Sequence, residues 1–203
     1  MRKLELEGIV KLEGSQFIDA VFPQLIELKL DSHGKNFYDY EADEISILPT
    51  IELSHLEILH LTRIILKDIS ACKSLRSLSL TDSLINGDLH LILEKITDFS
   101  YQNRTHMKFK PHEFIESNRF HRLSLDCENT NPINWEKRPI EAMTFRIYGC
   151  MTILHLIIGK NMKNLTIGCP WMKSIELVDP KQQFSHGNLS NANFPNYSLF
   201  AIP

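Results

Sequence analysis

His112 and Glu113, adjacent in KPHEFIESN, are residue types suited to metal-assisted hydrolysis. On a helix that chemistry needs a second histidine four residues after the first, so that both imidazoles reach one zinc ion while the glutamate serves as base. Position 116 is a glutamate, so the pattern fails and His112 reads as a surface histidine. The stretch HRLSLDC places His121, Asp126 and Cys127 close enough in sequence to suggest an activated thiol. On an extended strand, residues 121 and 127 would share a face about 20 Å apart, beyond hydrogen-bond reach. Cys127 then reads as a small apolar filler at a turn.

Phosphate chemistry finds no better support. The chain has eight glycines, none arranged as GxGxxG or GxxxxGK. The basic groupings RTHMKFKPH and NRFHR carry Phe109 and Phe120, a pairing of cation and ring that suits single-stranded RNA. With acidic residues nearby and a net charge of −3, a solvated face is the better reading, and no nucleic-acid partner is expected. Four cysteines, at 72, 127, 150 and 169, never form CxxC and read as reduced thiols. The N-terminal MRKLELEGIVKLEG alternates Leu and Glu where a signal peptide needs an unbroken apolar run, and no window approaches a membrane span. The expectation is a cytoplasmic chain without membrane attachment, whose sequons at Asn103, Asn164, Asn188 and Asn196 carry no meaning. No catalytic residue, cofactor or metal is assigned.

What the sequence does carry is a spacing. LxxLxL occurs at Leu25, Leu28, Leu30, at Leu56, Leu59, Leu61 and at Leu75, Leu78, Leu80. Looser copies follow at Ile96, Phe99, Tyr101; Phe120, Leu123, Leu125; Ala142, Phe145, Ile147; Met162, Leu165, Ile167; and Met172, Ile175, Leu177. Most steps between the middle residues are nineteen to twenty-four residues, a solenoid period. Residues two apart share one face of a strand, while the leading residue turns inward from the preceding loop. Such a unit cannot bury its apolar face alone, so stability has to come from stacked neighbours.

CKSLRSLSL and CPWMKSIEL both read CxxLxxLxL, with Met172 and Ile175 replacing leucines in the second, and Cys150 lies five residues after Phe145. These residues resemble the leucine-rich repeat family, in particular its cysteine-containing subclass known from the substrate-receptor subunits of F-box ubiquitin ligases. The resemblance covers roughly residues 25 to 178. It implies an α/β solenoid: a curved parallel sheet of seven or eight repeats with short helices or irregular segments on the convex side. It also implies an adaptor role, with any ligase activity carried by another chain.

Two regions depart from that pattern. Between Leu30 and Leu56 the step stretches to make room for an aromatic, acidic insertion at 31–47, with Phe37, Tyr38 and Tyr40 among Asp39, Glu41, Asp43 and Glu44. Near the other end, glycines at 149, 159 and 168 suggest strands about ten residues apart, which suits a parallel β-helix-like solenoid as an alternative. Residues 1–180 are read as the solenoid and 181–203 as a polar C-terminal cap or tail, although GNLSNANFPNYSLFA has a pentapeptide-like rhythm. NGDLHLILEKI is the clearest helix, capped by Asp88, with Leu89, Ile92, Leu93 and Ile96 on one face.

If each triplet marks a strand, the residues between its apolar positions face outward and stack into columns. One column reads Lys29, His60, Ser79, Ser100, Ser124, Arg146, Thr166, Glu176; its neighbour reads Asp31, Thr62, Thr81, Gln102, Asp126, Tyr148, Gly168, Val178. Arg and Tyr are enriched where interfaces draw most of their energy, which makes Arg122, Arg146 and Tyr148 the centre of the candidate surface. The protein-binding set is Ser79, Ser100, Gln102, Arg122, Ser124, Asp126, Arg146 and Tyr148. The expected function is a non-catalytic module that binds a protein partner on the concave sheet face. The alternative is an enzyme or effector, such as a β-helix carbohydrate-acting protein, whose site is assembled across several repeats.

Overall fold

A computed structural model describes residues 1–8, 17–32, 46–87, 92–103, 120–127, 143–148, 155–168, 174–178, 186–188 and 198–201. The chain divides into two compact units, Met1–Ile96 and Thr97–Pro203. The first carries strands β1 (Lys3–Glu7), β2 (Glu27–Asp31), β3 (Ser46–Thr50), β4 (Ile58–Thr62), β5 (Ile64–Asp68), β6 (Ser77–Thr81) and β7 (Leu84–Ile85). They belong to two parallel sheets, β1-β2-β4-β6 and β3-β5-β7, and from β2 onward successive strands alternate between them.

In the larger of these sheets the apolar triplets stand in register. Leu4, Leu28, Leu59 and Leu78 form one row, and Leu6, Leu30, Leu61 and Leu80 form the next. From Leu28 to Leu80 these leucines are at most 1% exposed, while the residues between them keep partial solvent contact. That is the period-two alternation of a sheet with one face in the core. The leading residues Leu25, Leu56 and Leu75 are buried as well. Each donates its N–H to the carbonyl three residues earlier, on Phe22, Leu53 and Cys72, at 3.2 Å. This tight turn brings the third apolar side chain inward just before the strand starts. One carbonyl of each strand entry then accepts two successive N–H groups from the next strand: Arg2 from Ile26 and Glu27, Ile26 from Glu57 and Ile58, Glu57 from Arg76 and Ser77.

Opposite the leucine rows the sequence predicted short helices or irregular chain. There the described residues form a second parallel sheet, joined by turns and a short helical stretch at Ile92 and Leu93. Its cause is local. A single residue, Arg63, separates β4 from β5, and with φ of 54° it turns the chain sharply into a new extended segment. Asp82, with φ of 47°, plays the same part after β6. The corner is held by side chains: Ser83, fully buried, accepts a bond from the Ile64 N–H at 3.0 Å and donates to the Thr81 carbonyl at 2.8 Å. Ser32 donates to the Arg63 carbonyl at 2.7 Å. The second sheet contributes Ile64, Leu66 and Ile85 to the core, joined by Ile51, Leu53 and Ile69 from the connections. Of the expected helix, Ile92 and Leu93 are helical and residues 88–91 lie outside the described residues; Ile92, Leu93 and Ile96 are buried as their spacing predicts.

The second unit repeats the plan with β8 (Asp98–Asn103), β9 (Arg122–Cys127), β10 (Thr144–Tyr148), β11 (His155–Ile158), β12 (Asn164–Gly168), β13 (Ser174–Leu177), β14 (His186–Asn188) and β15 (Ser198–Ala201). Here β8-β9-β10-β12-β14 form one run of parallel strands and β11-β13-β15 the other. Phe99, Leu123, Phe145 and Leu165 stand in one row, and Tyr101, Leu125, Ile147 and Ile167 in the next. Phe120 stacks on Phe99 with ring centroids 5.8 Å apart.

One expected triplet belongs elsewhere. Ile175 and Leu177 lie on β13, paired with β11 and β15, so the strand ten residues after Leu165 is on the other sheet. Glu176 and Val178 therefore leave the polar columns; Asn188 on β14 is the residue in register after Thr166. The SIEL of CPWMKSIEL is consequently not the structural counterpart of the SLSL of CKSLRSLSL, and residues 169–173 lie outside the described residues. The aromatic and acidic residues 33–45 lie outside the described residues.

Candidate functional site

The candidate site is the polar face of the leucine-row sheets, and its columns are fixed by register. In the second unit, Ser100, Ser124, Arg146, Thr166 and Asn188 occupy one column, and Gln102, Asp126, Tyr148 and Gly168 the next. Seven of the eight predicted residues are thus brought to one run of strands. The eighth, Ser79, is on β6 in the first unit, in register with His60. Ser79, Ser100, Ser124, Gln102 and Asp126 are partly exposed, as an outward position requires. The side chains of Arg146 and Tyr148 lie outside the described part of the structure.

Within this surface, Gln102 donates from Nε2 to Asp126 Oδ2 at 2.9 Å across adjacent strands. The bond fixes both groups and leaves Asp126 with acceptor capacity. It also removes Asp126 from the suggested thiol site, because the carboxylate faces Gln102 rather than serving His121. Arg122 stands in a third column, which the apolar spacing alone does not trace: Asp98, Arg122, Thr144, Asn164 and His186. Its Nε lies 3.5 Å from Asp98 Oδ1, and His121 Nδ1 lies 4.0 Å from the same oxygen. That oxygen is shielded from solvent and accepts no hydrogen bond among the described residues, while Thr97 donates to Oδ2 at 2.9 Å. Among the described residues Arg122 and Asp98 are thus joined by an ion pair without a hydrogen bond. The Arg122 side chain remains 70% exposed, so most of its donor fork faces solvent. Asp98 was legible in principle, because it precedes Phe99 as Arg122 precedes Leu123.

The first unit presents a different surface. Its columns run Lys3, Glu27, Ile58, Ser77; then Glu5, Lys29, His60, Ser79; then Glu7, Asp31, Thr62, Thr81. Lys3 pairs with Glu27 at 2.7 Å, Lys29 bonds Glu5, and Glu7 stands 4.0 Å from Lys29. The hydrogen bond from Lys29, reinforced by its charge, holds the Glu5 carboxyl below its usual range, and the same bond raises Lys29. At such exposed positions these pairs fix geometry more than they stabilise. His60, half-buried in the next strand, has its pKa lowered by burial; Lys29 and Lys3 push the same way and Glu27 and Glu5 oppose. It faces the columns as a neutral imidazole at neutral pH.

Among the described residues no group of three or more His, Cys, Asp or Glu is placed to hold a metal ion. Cys72 is buried beneath the turn, its Sγ 3.5 Å from the Ile51 carbonyl oxygen, and burial pushes its thiol up to about 11. It packs as an apolar residue at the position that Leu53 fills one strand earlier. No helix among the described residues is long and apolar enough to cross a membrane. Comparison of the chain with protein-family models, with curated proteins and with solved structures gives no match.

Proposed function

We propose that the chain is a leucine-rich-repeat-like solenoid that works as a protein-recognition module without catalysis of its own, taking its partner on the polar columns. The observation that carries the reading is the in-register stacking of polar positions, which sets Ser100 beside Ser124 and Gln102 beside Asp126 in continuous rows. A surface of fixed spacing, small polar groups and a largely exposed arginine suits a protein strand or loop better than a small substrate. The cysteine-containing repeat CKSLRSLSL favours an adaptor that presents a substrate to a ubiquitin ligase in the cytoplasm. The test is an affinity pulldown coupled to mass spectrometry, using the whole chain as bait. Changing Arg122, Arg146 and Tyr148 together to Ala should abolish capture of the partner while circular dichroism stays unchanged. Retention of the same partner would reject this surface.

A second reading draws on the two alternating parallel sheets and the near absence of helix among the described residues, which suit a β-helix-like coil. In that form the protein is an enzyme or effector with a site assembled from neighbouring strands. Asp98 and Arg122 on adjacent strands, with His121 just before the second, are where such a site would begin. Hydrolase turnover by the purified protein that disappears in Asp98→Asn would replace the binding reading with this one.

A further inference from the structure

The first unit has a depression of about 380 Å³ lined by Glu57, Lys73, Ser74, Leu75, Arg76 and Lys95. None of these residues belongs to the polar columns, so the depression is independent of the proposed partner surface. Its size falls within the range of small-ligand sites. Buried Leu75 belongs to its lining, whereas Lys73, Ser74, Arg76 and Lys95 are exposed. Three cations therefore surround one opening with a single carboxylate among them.

The pairing is asymmetric. Arg76 Nη2 bonds Glu57 Oε2, because the two residues hold equivalent places at the starts of adjacent strands β4 and β6. Lys73 and Lys95 have no ion-pair partner among the described residues, and Ser74 has no hydrogen-bond partner there. Lys73 is fixed at its backbone by a bond to the Ala71 carbonyl at 2.9 Å, so its stem leaves from a rigid turn. Like charges gathered at a concave opening raise the local positive potential and draw counter-ions. The unneutralised charge is two, from Lys73 and Lys95, and Ser74 adds donors that no described protein group uses.

From this we infer that the depression is a binding site for a phosphate monoester. A phosphate dianion matches the two unpaired ammonium groups, and its three terminal oxygens outnumber the acceptors that a carboxylate brings. Lysines act there as point charges, while Arg76, oriented by Glu57, sets a planar guanidinium at the rim.

The test is calorimetric titration of the whole chain, at constant ionic strength, with N-acetyl-O-phosphoserine amide, inorganic phosphate and N-acetylaspartate amide. The expected result is saturable one-to-one binding of the phosphoserine compound. It should weaken at least tenfold in the double variant Lys73→Ala/Lys95→Ala and stay unchanged in Lys160→Ala/Lys163→Ala. The aspartate compound should bind at least tenfold more weakly. Absence of saturable binding, equal affinity for the aspartate compound, or indifference to the Lys73/Lys95 variant would overturn the site. Tighter binding of inorganic phosphate than of phosphoserine would overturn its assignment to an ester. Thermal melts that coincide for both variants and the parent show that a lost signal is not a lost fold.

Discussion

Ser83 shows how much one hydroxyl can decide. It is fully buried, takes the Ile64 N–H and donates to Thr81, and so closes the corner through which the chain passes from one sheet to the other. Replacing it with Ala removes both bonds and leaves the N–H of buried Ile64 without a partner or water. An unsatisfied buried donor costs about 1–3 kcal/mol. Ser83→Ala should therefore lower the urea midpoint measurably. Ser70→Ala, at an exposed hydroxyl bonded to Asp68, should cost under about 0.5 kcal/mol. Equal effects of the two would show that the corner is not held in this way. His60 supplies a residue-scale prediction of another kind. Its folded pKa lies below the ordinary 6.5, so between the two values the unfolded chain binds more protons than the folded one. Stability consequently rises with pH across that window, is fully present above 6.5, and is lost as pH falls through the folded value. Denaturation at pH 7.5 and 5.5 should show a smaller loss on acidification in His60→Asn than in the parent. Glu5, also depressed, acts lower, below its usual 4.5, so the two contributions separate on the pH axis.

At the scale of the strand, burial ranks the leucines. Leu59 sits in β4 with β2 on one side and β6 on the other and is 0% exposed, whereas Leu4, in the same row on β1, is only half-buried with a paired strand on one side among the described residues. Leu59→Ala should cost about 2–5 kcal/mol, and Leu4→Ala about half of that or less, read from chemical denaturation. The triplets of β2, β4 and β6 were legible because a leucine triplet recurring at one internal spacing fits a strand entered from a tight turn, and fits neither a helix nor a lone strand. β1 was not, although Met1, Leu4 and Leu6 have the same spacing, because the interleaved glutamates read as a polar terminus. The second sheet escaped for a different reason. Ile64, Ile65 and Leu66 form a short continuous apolar run, which periodicity alone cannot assign to strand or helix. What settles it is the left-handed turn at Arg63, a residue type that gives no warning of such a conformation. The site divides in the same way. Alternation along a strand placed Ser100, Gln102, Ser124 and Asp126 on the outer face, but the Gln102–Asp126 bond and the Asp98–Arg122 contact depend on which residues stand opposite, and only register decides that.

Within each unit every strand pairing with a described register is parallel, and the residues that face each other are 18 to 31 positions apart in sequence. No described strand closes on its neighbour through a tight hairpin. Each strand pair must therefore close a long loop before its hydrogen bonds and leucine rows stabilise it, and the loop-closure entropy falls early in folding. A helix-rich leucine-repeat chain has local helical contacts to offset part of that cost. Here the described connecting layer is mostly short strands and turns, with helix only at Ile92 and Leu93, so that local help is small. Refolding monitored by stopped-flow circular dichroism should consequently take milliseconds to seconds, the range of proteins dominated by non-local pairing. The arrangement also predicts which substitutions slow it. Leu59→Ala, between two paired strands, removes contacts that the second pairing event needs, so it should slow refolding as well as speed unfolding. Leu4→Ala, paired on one side, should act almost wholly on unfolding. Completion of refolding within microseconds, or identical refolding rates for the two variants, would mean that the strands assemble in some order other than propagation from a central stacked pair.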